Sequence, residues 1–325
     1  MLDPKLLEQI IDVAAIAAYK SSLFKGKGDK NAADQAAVDA MRHKLNDLNI
    51  CGKVVIGEGE MDEAPMLYIG EVLGKSENPK IDIAVDPLDG TKLAANNQPN
   101  AISVISVAEE GMLLQAPDTY MNKISVGPNL PNNIVDLDED IKKNIQNLAK
   151  AKKKNINDIC ICVLDRDRHY HFIDSAKSLG SKVKLISDGD VAGSIYSALA
   201  STDVDMYLGI GGAPEGVLAA SAIKCLGGQF QARLVIKNED EILRAKKLGI
   251  KDFEKKYNLD EIVKGDVIFC STGVTDGELV SGIKVKDNTY ETETFALHYS
   301  QKFFQKVKKK YQVWAVILLK VRNGL

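Results

Sequence analysis

The sequence predicts an α/β protein in two parts, on three observations. Its 325 residues exceed what one hydrophobic core usually supports. Strand-like apolar runs alternate with helix-period segments through the second half of the chain. Acidic or glycine-rich turns follow several of those runs directly, which is where open α/β sheets gather their ligands.

The first helix runs from Leu2 to Ser22 on the spacing Leu6, Ile10, Val13, Ile16 and Ala17, opened by Asp3-Pro4. A charged glycine loop, Lys25 to Asn31, leads to a second helix from Ala32 to Asn46 that carries Asp34 near its positive end. Val54-Val55-Ile56 is a short strand entering the acidic turn Gly57 to Pro65, where Glu58, Glu60, Asp62 and Glu63 repel one another unless a cation or water neutralises them. Ile81 to Val85 is a strand that Pro87 is expected to end, since proline cannot donate to a ladder. Ile102 to Val107 alternates as a further strand.

The polar, lysine-rich stretch from Lys142 to Asp158 marks a boundary near residue 155, dividing an N-terminal α+β part (1–155) from a C-terminal α/β part (156–325). Beyond it come strands at 159–164, 183–186 and 204–210, with helices at 175–179, 192–199 and 215–225, a rhythm that predicts a largely parallel sheet. The turns after those strands are Asp165 to Arg168, Ser187 to Asp190, and Gly209 to Glu215.

Composition excludes several classes of function. With 45% hydrophobic, 27% charged and 6% aromatic residues the chain is a soluble globular type. A net charge of −3 supplies no field for nucleic acid or an anionic membrane. The lysine runs at 150–154 and 306–310 read as solvated faces. The five cysteines are odd in number and scattered, which fits neither a disulfide framework nor a zinc knuckle and points to a reducing cytoplasm. The start lacks the pattern of a signal peptide, and the apolar run Val313 to Leu319 is too short to span a bilayer. It reads as a terminal strand or tail.

The chemistry concentrates in Asp86-Pro87-Leu88-Asp89-Gly90-Thr91. Asp86 and Asp89 can converge on one hard cation that keeps coordination positions for phosphate, Gly90 leaves room for a ligand, and Thr91 adds a hydroxyl. Gly209 to Gly212 is no dinucleotide fingerprint, because Pro214 stands where the last glycine would be. The turn offers instead backbone amides for an anion and Glu215 for a metal. Arg166 and Arg168 suit a phosphate or, equally, ion pairs with Asp165 and Asp167. His169 and His171 lack the spacing of a zinc site.

Asp86 to Thr91 resembles the signature of the lithium-sensitive, Mg²⁺-dependent phosphatase superfamily. Gly28 to Asp34, Val55 to Glu60 with Asp62 to Leu67, and Gly209 to Gly216 are similar to the class II, bacterial-type fructose-1,6-bisphosphatases, over roughly residues 5 to 300. The resemblance implies a sugar-phosphatase fold of alternating helix and sheet layers and the hydrolysis of the 1-phosphate of fructose 1,6-bisphosphate. It implies Mg²⁺ or Mn²⁺ held by Asp34, Glu58, Asp86, Asp89 and Glu215, with the Leu88 carbonyl as a further ligand. Catalysis would fall to Thr91 with Asp34. Substrate contacts map onto Asp89-Gly90-Thr91, Tyr120, Arg166-Asp167-Arg168, Asp188-Gly189-Asp190 and Gly212. A homo-oligomer, dimer or tetramer, is implied as well. Two positions depart from the pattern: Asp89 replaces the usual glutamate, and Arg166-Asp167-Arg168 replaces a common Lys-Pro-Arg. Sedoheptulose 1,7-bisphosphate and inositol phosphates are the alternative substrates, and a non-catalytic sugar-phosphate sensor is the alternative in kind.

Overall fold

A computed structural model describes residues 1–59 and 66–313. Helices α1 (Pro4–Ser22) and α2 (Lys30–Asn46) precede strands β1 (Cys51–Ile56), β2 (Val72–Leu73) and β3 (Lys80–Asp89). Next come α3 (Thr91–Ala95), β4 (Ile102–Glu109), β5 (Tyr120–Val126), α4 (Ile141–Lys152), β6 (Cys160–Leu164), α5 (Tyr170–Ser178) and β7 (Lys182–Ile186). The chain continues through α6 (Asp190–Tyr196), β8 (Met206–Gly212), α7 (Ala213–Leu226), β9 (Gln229–Val235), α8 (Glu239–Lys247), β10 (Tyr257–Asn258) and α9 (Leu259–Ile262). It ends in β11 (Val267–Gly273), β12 (Lys284–Lys286), β13 (Thr289–His298) and β14 (Phe303–Gln312).

Among the described residues two sheets form, ordered β12-β13-β11-β4-β3-β1-β2, with β14 on the free side of β13, and β10-β9-β5-β8-β6-β7. They are separated and flanked by helices. On the outer face of the first sheet, Ile10, Ala14 and Met41 of α1 and α2 meet Ile83, Val85 and Ile105. Its inner face presents Ala84, Val104 and Phe269 to Ile195, Val217 and Ala220 of α6 and α7, which pack in turn on Met121, Cys162 and Tyr207 of the second sheet. The far face of that sheet places Ile161, Val163 and Leu208 against Ile145 and Leu148 of α4 and Ile173 of α5. The order helix, sheet, helix, sheet, helix is the layered α/β architecture expected. Each fully buried Ile, Val or Leu in these layers contributes about 1.5–3 kcal/mol of transfer free energy.

Several expectations are corrected. The division at 155 does not separate the sheets: β5 lies in the second although it precedes that residue, and β11 to β14 return to the first. The second sheet is mixed, for β6 pairs in parallel with β7 and β8 while β5 runs antiparallel to both β8 and β9. Helix–strand alternation constrained only the segment from β6 to β8, and the strand inserted from upstream reversed the direction beside it. The helix read at 175–179 begins at Tyr170. The run Val313 to Leu319 lies, past its first residue, outside the described residues, as do Glu60 to Pro65 of the acidic turn.

Pro87 does not end its strand. β3 continues to Asp89 across a bulge, with Asp86 opposite Val104 and Asp89 opposite Ile102. The extra residue falls where the ladder is already interrupted, so the missing N–H of Pro87 costs no bond there. In a regular strand residues three apart face opposite ways; the added residue puts Asp86 and Asp89 on one face, as their partners Val104 and Ile102 are.

Candidate active site

The ends of β1, β3 and β8 meet the starts of α7 and β5 around a cleft of about 520 Å³. Asp34, Glu58, Asp86, Asp89 and Glu215 all line it, with Gly90, Thr91, Tyr120, Asp188 and Gly212. Local folding places each carboxylate. Asp29 caps α2 by accepting from the Ala32 amide at 2.9 Å, which sets Asp34 one turn into the helix. Glu58 lies two residues past β1, after Gly57. The Asp86 Oδ1 atom accepts from the Leu88 amide at 3.1 Å and so stabilises the bulge. Gly90, at φ +86°, turns the chain from β3 into α3, whose first residue is Thr91. Pro214 and Glu215 occupy the first turn of α7.

These carboxyls share one low-dielectric space, and each holds its proton above the ordinary range. Burial, then Asp34, Glu215 and Asp118, push Glu58 up to about 8. Burial and Asp190 push Glu215 up to about 7. Asp86 is raised well above its usual value by burial and by Asp89, and Asp89 by burial and by Asp190 and Asp188. Asp34 is raised by burial. The Asp89 Oδ2 atom is buried with no hydrogen-bond partner. An unpaired buried carboxylate oxygen is costly unless a cation meets it.

An all-carboxylate donor set of this kind suits a hard divalent ion such as Mg²⁺ or Mn²⁺. Among the described residues no three of the His, Cys, Asp or Glu side chains close on one point as a preformed ligand set. Mutual repulsion between uncompensated carboxylates favours that open arrangement.

The predicted substrate residues divide. Asp188 lines the cleft, and its Oδ1 atom lies 3.9 Å from Nη2 of Arg166. Arg168 does not line the cleft but abuts it, with its guanidinium carbon 5.0 Å from the Tyr120 ring centre and two donors on the Ile210 carbonyl at 3.0 and 2.7 Å. Gly189 lies beside Asp89. Asp190 sits behind the wall, buried, in an ion pair with Lys123, whose Nζ also donates to the Gly212 carbonyl at 2.9 Å. Asp167 faces solvent and bonds the Tyr170 side chain. His169 is structural: its Nδ1 meets the Leu164 carbonyl and its Nε2 accepts from the Ile210 amide, both at 2.8 Å.

Sequence reading missed Asp118, Thr119 and Glu241, which line the cleft, and Lys123, which is fully buried behind it. The triplet Asp118-Thr119-Tyr120 just before a strand was a usable signal for the first two. Nothing local marks Lys123 or Glu241.

Comparison with known proteins gives the family. The family model described as bacterial fructose-1,6-bisphosphatase, glpX-encoded, matches residues 4–311. The fructose-1,6-bisphosphatase class 2 of Haemophilus influenzae is 43% identical over 314 residues, covering 92% of this chain and 93% of that protein. Fructose-1,6-bisphosphatase 1 class 2 of Escherichia coli is 41% identical, with 92% of each chain covered. A Trichodesmium erythraeum protein named D-fructose 1,6-bisphosphatase class 2/sedoheptulose 1,7-bisphosphatase is 39% identical over 89% of this chain and 91% of its own length. With its carboxylate cleft and a match running almost end to end, the chain belongs to the bacterial, glpX-encoded family of fructose-1,6-bisphosphatases.

Proposed function

We propose that the cleft hydrolyses the 1-phosphate of fructose 1,6-bisphosphate, giving fructose 6-phosphate and inorganic phosphate. The observation that carries this reading is the gathering of Asp34, Glu58, Asp86, Asp89 and Glu215 with Thr91 around one cleft. A divalent cation, Mg²⁺ or Mn²⁺, supplies charge neutralisation at the phosphate when bound there. Those five carboxylates would hold it, with the Leu88 carbonyl as a further candidate. The Thr91 hydroxyl would orient the attacking water and relay its proton, accepting one from the water as it passes its own to the carboxylate of Asp34. Arg166, Arg168 and Tyr120 receive the phosphate that stays, while Asp188 accepts from sugar hydroxyls. Asp190, paired with Lys123 through one carboxylate oxygen, shapes the wall behind Asp188 and keeps its other oxygen for the sugar.

Sedoheptulose 1,7-bisphosphate is the second reading, favoured by the Trichodesmium relative that is named for both activities. Phosphate release measured with Mg²⁺ or Mn²⁺ on both bisphosphates and inositol 1-phosphate tests the set. The wild type is expected to release phosphate from a sugar bisphosphate, and Thr91→Ala to lower kcat about 10²–10⁴-fold with KM little changed. Tight binding of a bisphosphate without release under either metal would make the protein a sensor and overturn the reading.

A further inference from the structure

We propose that Lys237 is a substrate-binding residue of this enzyme, completing with Arg168 and Tyr120 the receptor for the phosphate that is not cleaved; the proposal rests on the sugar-bisphosphate reading of the cleft. Tyr120 begins β5, the strand flanked by β8 on one side and β9 on the other, with Gly212 and Val235 as its register partners. Arg168 comes from the β8 side, anchored on the Ile210 carbonyl. Lys237 comes from the turn after β9, and its Nζ lies 4.1 Å from the Tyr120 ring centre. Two cations from separate elements thus converge on one ring at the rim of the cleft.

Neither cation is neutralised. Among the described residues the Lys237 Nζ makes no ion pair or hydrogen bond, and the partner of Arg168 is a neutral carbonyl. An exposed cation–π contact is worth only about 0.5–1 kcal/mol, which does not by itself account for bringing a second like charge to the same ring. An anion between them does. All three ammonium donors of Lys237 remain available, as do the guanidinium donors of Arg168 not spent on Ile210, a supply suited to a phosphate group.

The turn that carries Lys237 is also held in place. The Lys237 amide donates to Glu241 Oε2 at 2.6 Å, the Asn238 side chain donates to Glu241 Oε1 at 3.2 Å, and Asn238 caps α8 by accepting from the Glu241 amide at 2.9 Å. Glu241 itself lines the cleft. The ligand class is therefore a phosphate monoester whose sugar end reaches toward the carboxylates.

The test uses Lys237→Met and Lys237→Arg with three probes: turnover of fructose 1,6-bisphosphate, turnover of fructose 1-phosphate, and calorimetric binding of fructose 6-phosphate, which keeps the remote phosphate. Lys237→Met is expected to raise KM for the bisphosphate and Kd for fructose 6-phosphate about 10- to 100-fold, as loss of a charge-assisted hydrogen bond would. It should leave fructose 1-phosphate turnover within about twofold, and Lys237→Arg should restore binding. Unchanged Kd for fructose 6-phosphate, or an equal effect on fructose 1-phosphate, overturns the proposal. The calorimetric arm stands whether or not the wild type cleaves the bisphosphate, so failure of the hydrolytic reading would show separately.

Discussion

A methyl group at Gly212 would occupy the space of the Glu215 carboxylate. Gly212 has φ −63°, a value alanine adopts freely, so Gly212→Ala meets no backbone strain. What must yield is the far end of a flexible glutamate, which is displaced from the cleft at little cost to the fold. The expected outcome is a change in stability under about 1 kcal/mol and a fall of at least about tenfold in apparent metal affinity. Activity titrated against Mg²⁺, beside urea unfolding of the same variant, checks both halves. A large loss of stability with metal affinity intact would remove Glu215 from the ligand set. The neighbouring glycine carries a related constraint, since a side chain at Gly211 would strike Asp190 and crowd Lys123. This glycine pair is thus required by close approach of two acidic side chains, Glu215 lining the cleft and Asp190 behind it.

Helix α7 delivers Glu215 and is sealed between the sheets, so its packing constrains the site differently. Ala219, Ala220 and Ala222 are fully buried, and small side chains let the sheets approach the helix from both sides. Ala220→Leu inserts volume with nowhere to go and is expected to cost about 1–3 kcal/mol in urea unfolding, with KM for substrate unchanged. Wild-type stability would mean the middle layer is loosely packed. The start of the helix was legible in sequence because Pro214 and Glu215 open it; in the structure Gly227, at φ +71°, closes it. The carboxylates were legible for a similar reason: Glu58 two residues past β1, Asp86 in the acidic run that closes β3, and Glu215 three residues past β8 each lie where a local run of residues announces both strand and turn. Strand order carries no such local signal. Tyr120 stands beside Gly212 and Val235 only because β5 inserts between β8 and β9, so the meeting of Arg168 with Lys237 could not be read from spacing. The bulge at Pro87 was hidden likewise, since its evidence is the register against β4.

Across the molecule the cleft sets how stability depends on pH and metal together. In the folded, metal-free protein Glu58 and Glu215 hold protons up to about 8 and about 7, and Asp86 and Asp89 are raised well above their usual values, chiefly by burial. The unfolded chain releases those protons in the ordinary carboxylate range near about pH 4. Between these limits the native state binds more protons than the unfolded state. The stabilisation is complete below the unfolded values and is lost as pH rises through the folded ones. His169 acts the other way, because burial lowers its pKa and its neutral form favours the fold as pH rises. Asp205 and Asp266 are held below the usual range by their partners, against burial that would raise them, so their contribution is lost only at more acid pH. A divalent cation bound by these carboxylates would replace the protons, so the difference in Tm between protein with Mg²⁺ and protein with a chelator isolates the cleft, as His169 cancels in that difference. The Mg²⁺-induced rise in Tm is expected to grow steadily from about pH 5.5 to about pH 8.5, and metal binding in weakly buffered solution should release protons. A rise that stayed constant with pH, with no proton release, would show that these carboxylates are not the groups the metal meets.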